Sequence, residues 1–157
     1  MQSVSDLSQS RLASHANTWN DRILLSRGAD PASGEQFYRP LGGGVEFGER
    51  AAIALGREIT EERGGTIEDF HLLGVLENLF EYGGRLKHEI VFVFDARFSN
   101  PSWYRRAELP VTEPDTGWEA ARWISIKALS SGPERLVPDG LLSLLRAKTG
   151  HGSTAET

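Results

Sequence analysis

Residues 43–64 decide the fold of this chain, opening with Gly43-Gly44-Val45-Glu46-Phe47-Gly48-Glu49 and closing, seven residues later, with Arg57-Glu58-Ile59-Thr60-Glu61-Glu62-Arg63-Gly64. A glycine-rich turn here runs into a helix on which Glu58, Glu61 and Glu62 share one face. Like charges at this spacing repel by about 0.2–0.5 kcal/mol per pair, a cost that a divalent cation would offset. Magnesium is held by a few carboxylates together with waters and substrate phosphates. The pattern therefore predicts a metal-assisted site that acts on a phosphate-containing ligand.

An acid-rich helix is most often only a solvated face, and this alternative has to be weighed against the metal site. A rotation of about 100° per residue places Ala52, Leu55 and Ile59 in one apolar stripe, which gives the helix a buried side. The glutamates border this stripe instead of lying opposite it. The glycine-rich lead-in has no purpose in a purely solvated helix, because glycine permits positive φ and close approach of the backbone to a ligand. Together these features favour the metal site.

The order of these residues resembles the Nudix box, G-x5-E-x7-R-E-U-x-E-E-x-G-U, in which U is a bulky aliphatic residue. The matching positions are Gly43, Glu49, Arg57, Glu58, Ile59, Glu61, Glu62 and Gly64. The last position departs from the pattern, because Gly65 stands where an aliphatic residue is usual. This departure is expected to weaken packing just after the helix, but it removes no ligand. The box covers 23 of the 157 residues, and on it the chain resembles the Nudix hydrolase family.

The resemblance implies an α/β fold, namely the Nudix-like α/β/α sandwich with a mixed central sheet. It also implies Mg²⁺ as the cofactor, with Mn²⁺ as a possible substitute. The metal ligands that it implies within the box are Gly43, through its carbonyl, Glu58, Glu61 and Glu62. Glu49 and Arg57 match the structural ion pair of the family, which holds the loop against the helix. These two residues are expected to be supports and not participants in the reaction.

Outside the box, Glu89 heads a strand whose next residues are apolar on both faces. By strict alternation it shares a face with Val91 and Val93. Glu89 is either a solvent-facing strand end or a cleft residue that serves as an extra metal ligand or as the general base. Many family members use a glutamate outside the box in this way. We therefore include Glu89 among the predicted metal ligands and, with Glu58 and Glu61, among the predicted catalytic residues.

The residues that contact the substrate are less sharply defined. Tyr82 lies 17 residues after Gly65, where relatives that act on diadenosine polyphosphates often carry a tyrosine, but the position is equally compatible with a hairpin tip. Arg27 and Lys87 are candidate phosphate partners. Stacking on a base is worth about 1–3 kcal/mol. Aromatic candidates for stacking, each of which could instead be core or loop packing, are Phe37, Tyr38, Phe80 and Trp103.

Composition narrows the class of protein. A length of 157 residues fits one domain with its own core, and the absence of cysteine excludes disulfides and thiolate metal sites. The longest apolar run, at residues 90–94, is far too short to span a membrane, and residues 1–10 do not resemble a signal peptide. A net charge of −5 argues against general nucleic-acid binding. We therefore expect a cytoplasmic protein with a small nucleotide as its partner, no membrane or nucleic acid, and a homodimer as an open possibility.

The organisation of the chain predicts a single domain at residues 11–149, between polar tails at 1–10 and 150–157 that are expected to be disordered. Strands are predicted at residues 23–25, 37–39, 72–77, 89–98 and 121–126, with a poor strand candidate at 11–18. Helices are predicted at residues 49–63 and 138–148, with a helical turn at 127–130. The glycines at 83–84 indicate a hairpin. Residues 99–117 form a long predicted loop of the kind that often acts as a functional lid.

Two functions of different classes follow from the sequence. The first is Mg-dependent hydrolysis of a pyrophosphate bond in a nucleoside diphosphate linked to another moiety, such as a (d)NTP, ADP-ribose or a dinucleoside polyphosphate. The second is a non-catalytic nucleotide-binding regulatory module of the same fold. Loss of a box glutamate would favour the second, and none is lost here. The enzyme is therefore the preferred hypothesis.

Overall fold

The computed structural model describes residues 8–12, 22–109, 120–132 and 135–151. The strands are β1 (Ser8–Leu12), β2 (Arg22–Ala29), β3 (Gln36–Gly44), β4 (Ile67–Tyr82), β5 (Arg85–Phe98), β6 (Glu108–Leu109), β7 (Ala121–Ser125) and β8 (Arg135–Leu136). The helices are α1 (Ala51–Arg63), α2 (Ile126–Ser131) and α3 (Leu141–His151), with a 3₁₀ helix at Pro101–Arg105. The predicted α/β class is confirmed.

The strands form one mixed sheet in the order β4-β5-β1-β3-β2-β7-β6, with β8 paired to β3. β1 runs parallel to β5 and antiparallel to β3, so it lies between two strands that are far from it in the chain. β8 runs parallel to β3, whereas the pairs β2–β3, β2–β7, β4–β5 and β6–β7 are antiparallel. This order brings the glycine-rich end of β3 next to β1, which separates it from β5.

The two faces of the sheet bury separate clusters of apolar side chains, as the alternation of residues along a strand requires. Leu24 packs with Leu55 and Ile59 of α1 on one face. Its neighbours in β2 instead join the cluster that contains residues of α2 and α3. The members of that second cluster are Ile23, Leu25, Val91, Val93, Ile126, Leu129, Leu141 and Leu145. Helices therefore cover both faces, which confirms the predicted α/β/α sandwich.

The long hairpin of β4 and β5 is tighter and longer than the sequence predicted. Its turn consists of Gly83 and Gly84 alone, with φ of +62° and +77°. Two consecutive positive φ values are characteristic of the type I′ turn, whose twist suits paired strands. The ladder runs from Tyr82↔Arg85 to Ile67↔Phe98, with irregularities near Glu68 and Leu72. The predicted strands at 72–77 and 89–98 are parts of this one hairpin.

Helix α1 ends where the sequence predicted and is anchored at that end. Gly64 adopts φ of +76° and its N–H donates to the Thr60 carbonyl at 3.0 Å. Just before it, the buried Arg63 donates to the Leu109 carbonyl at 2.8 Å and to Ser26 Oγ at 2.7 Å. These bonds join the C-terminal end of α1 to β6 and β2.

The position that departs from the box pattern is well packed. A Cβ atom on Gly65 would lie 3.1 Å from the indole of Trp103 and 3.3 Å from the ring of Phe98. These two rings are stacked, with centroids 5.2 Å apart and an interplanar angle of 7°. The expectation that Gly65 weakens packing after the helix is therefore wrong, because Trp103 fills the space that an aliphatic side chain would take.

Several predicted boundaries need correction. β1 begins at Ser8, inside the predicted N-terminal tail, and overlaps the candidate strand at 11–18 by two residues. This segment is not apolar, but pairing with β3 and β5 makes it a strand. α3 reaches His151, two residues into the predicted C-terminal tail. The predicted loop at 99–117 contains the 3₁₀ helix and β6, whereas residues 110–119 lie outside the described residues.

In the described part of the chain, no helix has both the length and the apolarity to cross a membrane.

Candidate active site

Glu58 lies directly on the backbone of the glycine-rich segment. A Cβ atom on Gly43 would be 2.4 Å from the carboxyl carbon of Glu58, so only glycine leaves room for this carboxylate. The side chain of Glu58 is 16% exposed. The structure thus brings together Gly43 and Glu58, two of the residues predicted to bind metal.

Arg57 connects the loop to the helix. Its guanidinium donates to both carboxylate oxygens of Glu49, at 2.9 and 3.0 Å, and to the Gly44 carbonyl at 3.0 Å. It also donates to Glu58 at 3.0 Å and to Glu61 at 3.2 Å. The hydrogen bonds between Arg57 and Glu49 raise the pKa of Arg57 and lower the pKa of Glu49. The pair therefore holds the loop to α1 and also positions two of the predicted metal ligands.

Replacing Arg57 with alanine should lower the melting temperature of the metal-free protein by several degrees, because a partly buried carboxylate loses its partner. Since the pKa of Glu49 is lowered on folding, the pair stabilises the fold above the ordinary glutamate pKa of about 4.3 and loses that contribution as the pH falls through the lowered value. Thermal melting at pH 7 and below pH 4 would measure the difference. Arg122→Ala, which breaks only the exposed pair with Glu108, is the control. Equal melting temperatures for the two variants at pH 7 would contradict the assignment.

The remaining box glutamates differ in environment. The Glu61 side chain is 60% exposed, whereas Glu62 is half-buried. Burial raises the pKa of Glu62, and the neighbouring Glu58 carboxylate raises it further.

Among the described residues, no three His, Asp or Glu side chains are arranged as a set that could hold a metal ion together. The donor chemistry nevertheless fits Mg²⁺, because hard carboxylate oxygens are its preferred protein ligands and a cation would relieve the repulsion at Glu62.

Arg11 is a functional candidate that the sequence did not indicate. It is 4% exposed and donates to Gln9 Oε1 at 3.0 Å. Burial lowers the pKa of Arg11, and the carboxylates of Glu89, Glu62 and Glu58 oppose that shift. Glu89 is therefore grouped electrostatically with two of the box glutamates, around one buried guanidinium.

A cleft of about 690 Å³ lies beside this group of charges. Asn78, Phe80 and Tyr82 of β4 line it, as do Lys87 and Glu89 of β5. These residues alternate along their strands, and Glu89 is paired with Asn78 across the hairpin. The hairpin tip thus forms a wall of the cleft.

A second wall comes from β3 and the loop before it. Phe37 and Arg39 line the cleft from alternate positions of β3. The ring of Phe37 meets that of Tyr82 edge to face, with centroids 6.4 Å apart. At the same end, Asp30 Oδ1 accepts a hydrogen bond from Gly83 N at 3.1 Å. The tip of the hairpin is thereby held against the loop before β3.

Two of the three predicted substrate-binding residues line the cleft. Tyr82 and Lys87 line the cleft, whereas Arg27 lies outside its described lining and donates to Gln36 Oε1 on the neighbouring strand. Sequence reasoning missed Arg11 and Arg39. The only available signal was a basic residue alternating with Phe37 just before the glycines, and a charged residue at such a position is also typical of a solvated strand.

The NUDIX domain family model matches residues 11–145. A MutT NUDIX hydrolase from Burkholderia pseudomallei is 28% identical, with a TM-score of 0.64 over 89% of this chain and 95% of that one. A NUDIX hydrolase from Nitrosomonas europaea is 18% identical, with a TM-score of 0.63 over 94% of this chain and 89% of that one. A UDP-X diphosphatase is 17% identical, with a TM-score of 0.62 over 98% of this chain and 66% of that one. The last two likenesses show the fold alone.

The match to the NUDIX domain over residues 11–145 shows an enzyme that hydrolyses acid anhydrides of phosphorus, a pyrophosphohydrolase. Because the family model matches most of its length, the chain belongs to the NUDIX family.

Proposed function

We propose that this enzyme hydrolyses the pyrophosphate bond of a nucleoside diphosphate linked to a second moiety, with Mg²⁺ as its cofactor and Mn²⁺ as a possible substitute. One observation carries the proposal. Carboxylates from the box helix and from β5 act electrostatically on the buried Arg11, which lines a cleft that also has cationic and aromatic walls. A pyrophosphate needs the charged end, and a nucleoside needs the aromatic end.

The proposed metal ligands are the Gly43 carbonyl and the carboxylates of Glu58, Glu61, Glu62 and Glu89. When bound there, a divalent cation neutralises phosphate charge and lowers the pKa of a bound water. Glu58 and Glu62 contribute through their proximity, since a cation bound by both would relieve the repulsion that raises the pKa of Glu62. Glu49 and Arg57 keep the glycine segment against the helix.

Glu89 is proposed as a metal ligand or as the general base. Glu58 and Glu61 are the other proposed catalytic residues. Its place in the cleft, opposite Asn78 in the hairpin, supports a role beyond that of a solvent-facing strand end. A carboxylate in that position could accept a proton from the attacking water, and such a contribution is typically worth about 10²–10⁴-fold in rate.

The aromatic end of the cleft supports a nucleoside as part of the substrate. Tyr82 and Phe37 lie in edge-to-face contact there, and Phe80 lies one alternation further along β4. A base stacked on such rings would gain about 1–3 kcal/mol. Lys87 lies on the opposite strand, paired with Phe80, where it could contact a phosphate.

Glu89→Gln is expected to lower kcat by about 10²-fold or more with little change in KM, and to remove the acidic limb of the pH–rate profile. The assay is a set of nucleotide derivatives with saturating Mg²⁺, read as released phosphate after a coupling phosphatase. Glu81→Gln, which alters another carboxylate of the same cleft, is the matched control. A Glu89→Gln enzyme with wild-type kcat and pH profile would leave the base among the box glutamates. Wild-type enzyme that turns over none of the nucleotides with Mg²⁺ or Mn²⁺ would refute the proposed function.

A further inference from the structure

Two arginines from different strands lie together in the cleft. Arg11, on β1, donates to the Pro40 carbonyl at 3.4 Å as well as to Gln9. Arg39 is the residue before Pro40 on β3, and it lines the same cleft. Both oxygens that accept from Arg11 are neutral, so these bonds orient the guanidinium without cancelling its charge.

The arrangement brings two positive charges close to one another. Burial lowers the pKa of Arg39 well below its usual value, and repulsion from Arg11 lowers it further. A buried guanidinium beside a half-buried one is a setting that an anion would stabilise. Guanidinium groups suit one kind of anion especially well, because their planar fork binds two oxygens of a phosphate at once.

A purely structural role as counter-ions to the acidic group is the competing explanation. Arg11 does face Glu58, Glu62 and Glu89, and Glu89 and Glu62 also act on Arg39. Both arginines nevertheless line the cleft, where an entering anion would meet two guanidinium groups at once. A role as counter-ions alone would not require both side chains to reach that surface.

We propose that Arg11 and Arg39 together bind one phosphate group of the substrate and thereby fix its direction in the cleft. The inference rests on the proposed function and deepens it. The carboxylates of the acidic group act on Arg11, whereas Arg39 lies two residues along β3 from Phe37, whose ring meets Tyr82 at the aromatic end. Along β5, the four residues from Glu89 to Arg85 span about 13 Å at the usual rise per residue. The phosphate on the arginine pair therefore lies between the scissile end of the substrate and its ring.

The test measures binding of inorganic pyrophosphate by calorimetry with a chelator present, so that neither hydrolysis nor metal contributes. Arg39→Gln is expected to weaken binding at least tenfold, and Arg11→Gln to do the same. Arg97→Gln is the matched control, because it removes the same charge from an exposed site that pairs with Glu68 and Asp69. Arg97→Gln is expected to bind pyrophosphate as tightly as the wild-type protein does.

Equal affinities for Arg39→Gln and Arg97→Gln would overturn the proposal, and so would wild-type protein that does not bind pyrophosphate. Arg39→Lys gives an answer even if Arg39→Gln does not fold, because it keeps the charge and loses the fork. Weaker binding by Arg39→Lys supports the paired site, and unchanged binding overturns it. Since binding is read without turnover, failure of the proposed hydrolysis would leave this result standing, and the two failures are distinguishable.

Discussion

Glu62→Gln is expected to abolish most of the hydrolytic activity while leaving the metal-free protein as stable as wild type or more so. The loss in kcat should be about 10²-fold or more, the size seen when one preorganised electrostatic group is removed from a catalytic site. Amide and carboxylate have nearly the same shape, so the packing of α1 is kept. The assay is pyrophosphate hydrolysis with saturating Mg²⁺ on a substrate that the wild-type enzyme accepts.

The gain in stability follows from the environment of Glu62. Its pKa is raised first by burial and then by Glu58, so the folded protein holds this proton more tightly than the unfolded chain does. The carboxyl therefore costs nothing below its unfolded pKa, and the cost grows as the pH rises through the folded pKa. In a chelator at neutral pH, the neutral amide of Glu62→Gln removes this cost.

Glu68→Gln, at an exposed carboxylate paired with Arg97, is the control for both measurements. It should change neither kcat nor the melting temperature appreciably, because exposed ion pairs contribute about 0–1 kcal/mol. A Glu62→Gln enzyme with near wild-type turnover would remove Glu62 from the metal site. A large fall in its melting temperature would mean that the ionised carboxylate stabilises the fold instead of straining it.

The second large effect is expected for Gly42→Ala, which should lower the free energy of unfolding by about 3 kcal/mol or more. A Cβ atom there would lie 1.9 Å from the carbonyl oxygen of Ser10, a backbone atom that cannot rotate away. Gly42 also has φ of +147°, which side-chain-bearing residues rarely adopt. Overpacking typically costs about 1–3 kcal/mol and a strained backbone about as much again. Urea unfolding, monitored by tryptophan fluorescence, would measure the change in the free energy of unfolding.

Gly34→Ala separates the two contributions. Gly34 has φ of +75°, but nothing lies within 4 Å of the position that a Cβ atom would take there, so only the backbone strain applies. The larger loss at Gly42 would then report the collision with β1. Because β1 carries Arg11, Gly42→Ala should also weaken pyrophosphate binding by the protein that remains folded. Equal destabilisation by the two substitutions would show that β1 and β3 can separate at little cost.

The box helix and the hairpin were predictable because their signals are local. Helix α1 has an apolar stripe that includes Leu55 and Ile59, and Gly64 marks its end within the sequence itself. The hairpin has adjacent glycines between two apolar runs. The acidic face of α1 was predictable for the same reason, since residues three and four positions apart on a helix are neighbours.

The basic half of the site could not be predicted, because it is assembled by pairing between distant segments. Arg11 reaches the cleft only because β1 inserts between β3 and β5, at Arg11↔Gly42 and Arg11↔Val93. Nothing within residues 8–12 shows an apolar or alternating pattern strong enough to predict a strand. Arg39 belongs to a predicted strand, but its proximity to Arg11 is visible only in the fold.

Because Gly65 packs against Trp103, the box of this chain cannot be exchanged with that of a relative independently of residue 103. A chimera that received residues 43–65 from a relative with an aliphatic residue at the last position would place a branched side chain against the indole, where even one carbon meets it at 3.1 Å. Such a transplant should succeed only if residue 103 is made smaller at the same time. Engineering of this motif therefore has to exchange the 3₁₀ segment at 101–105 along with it.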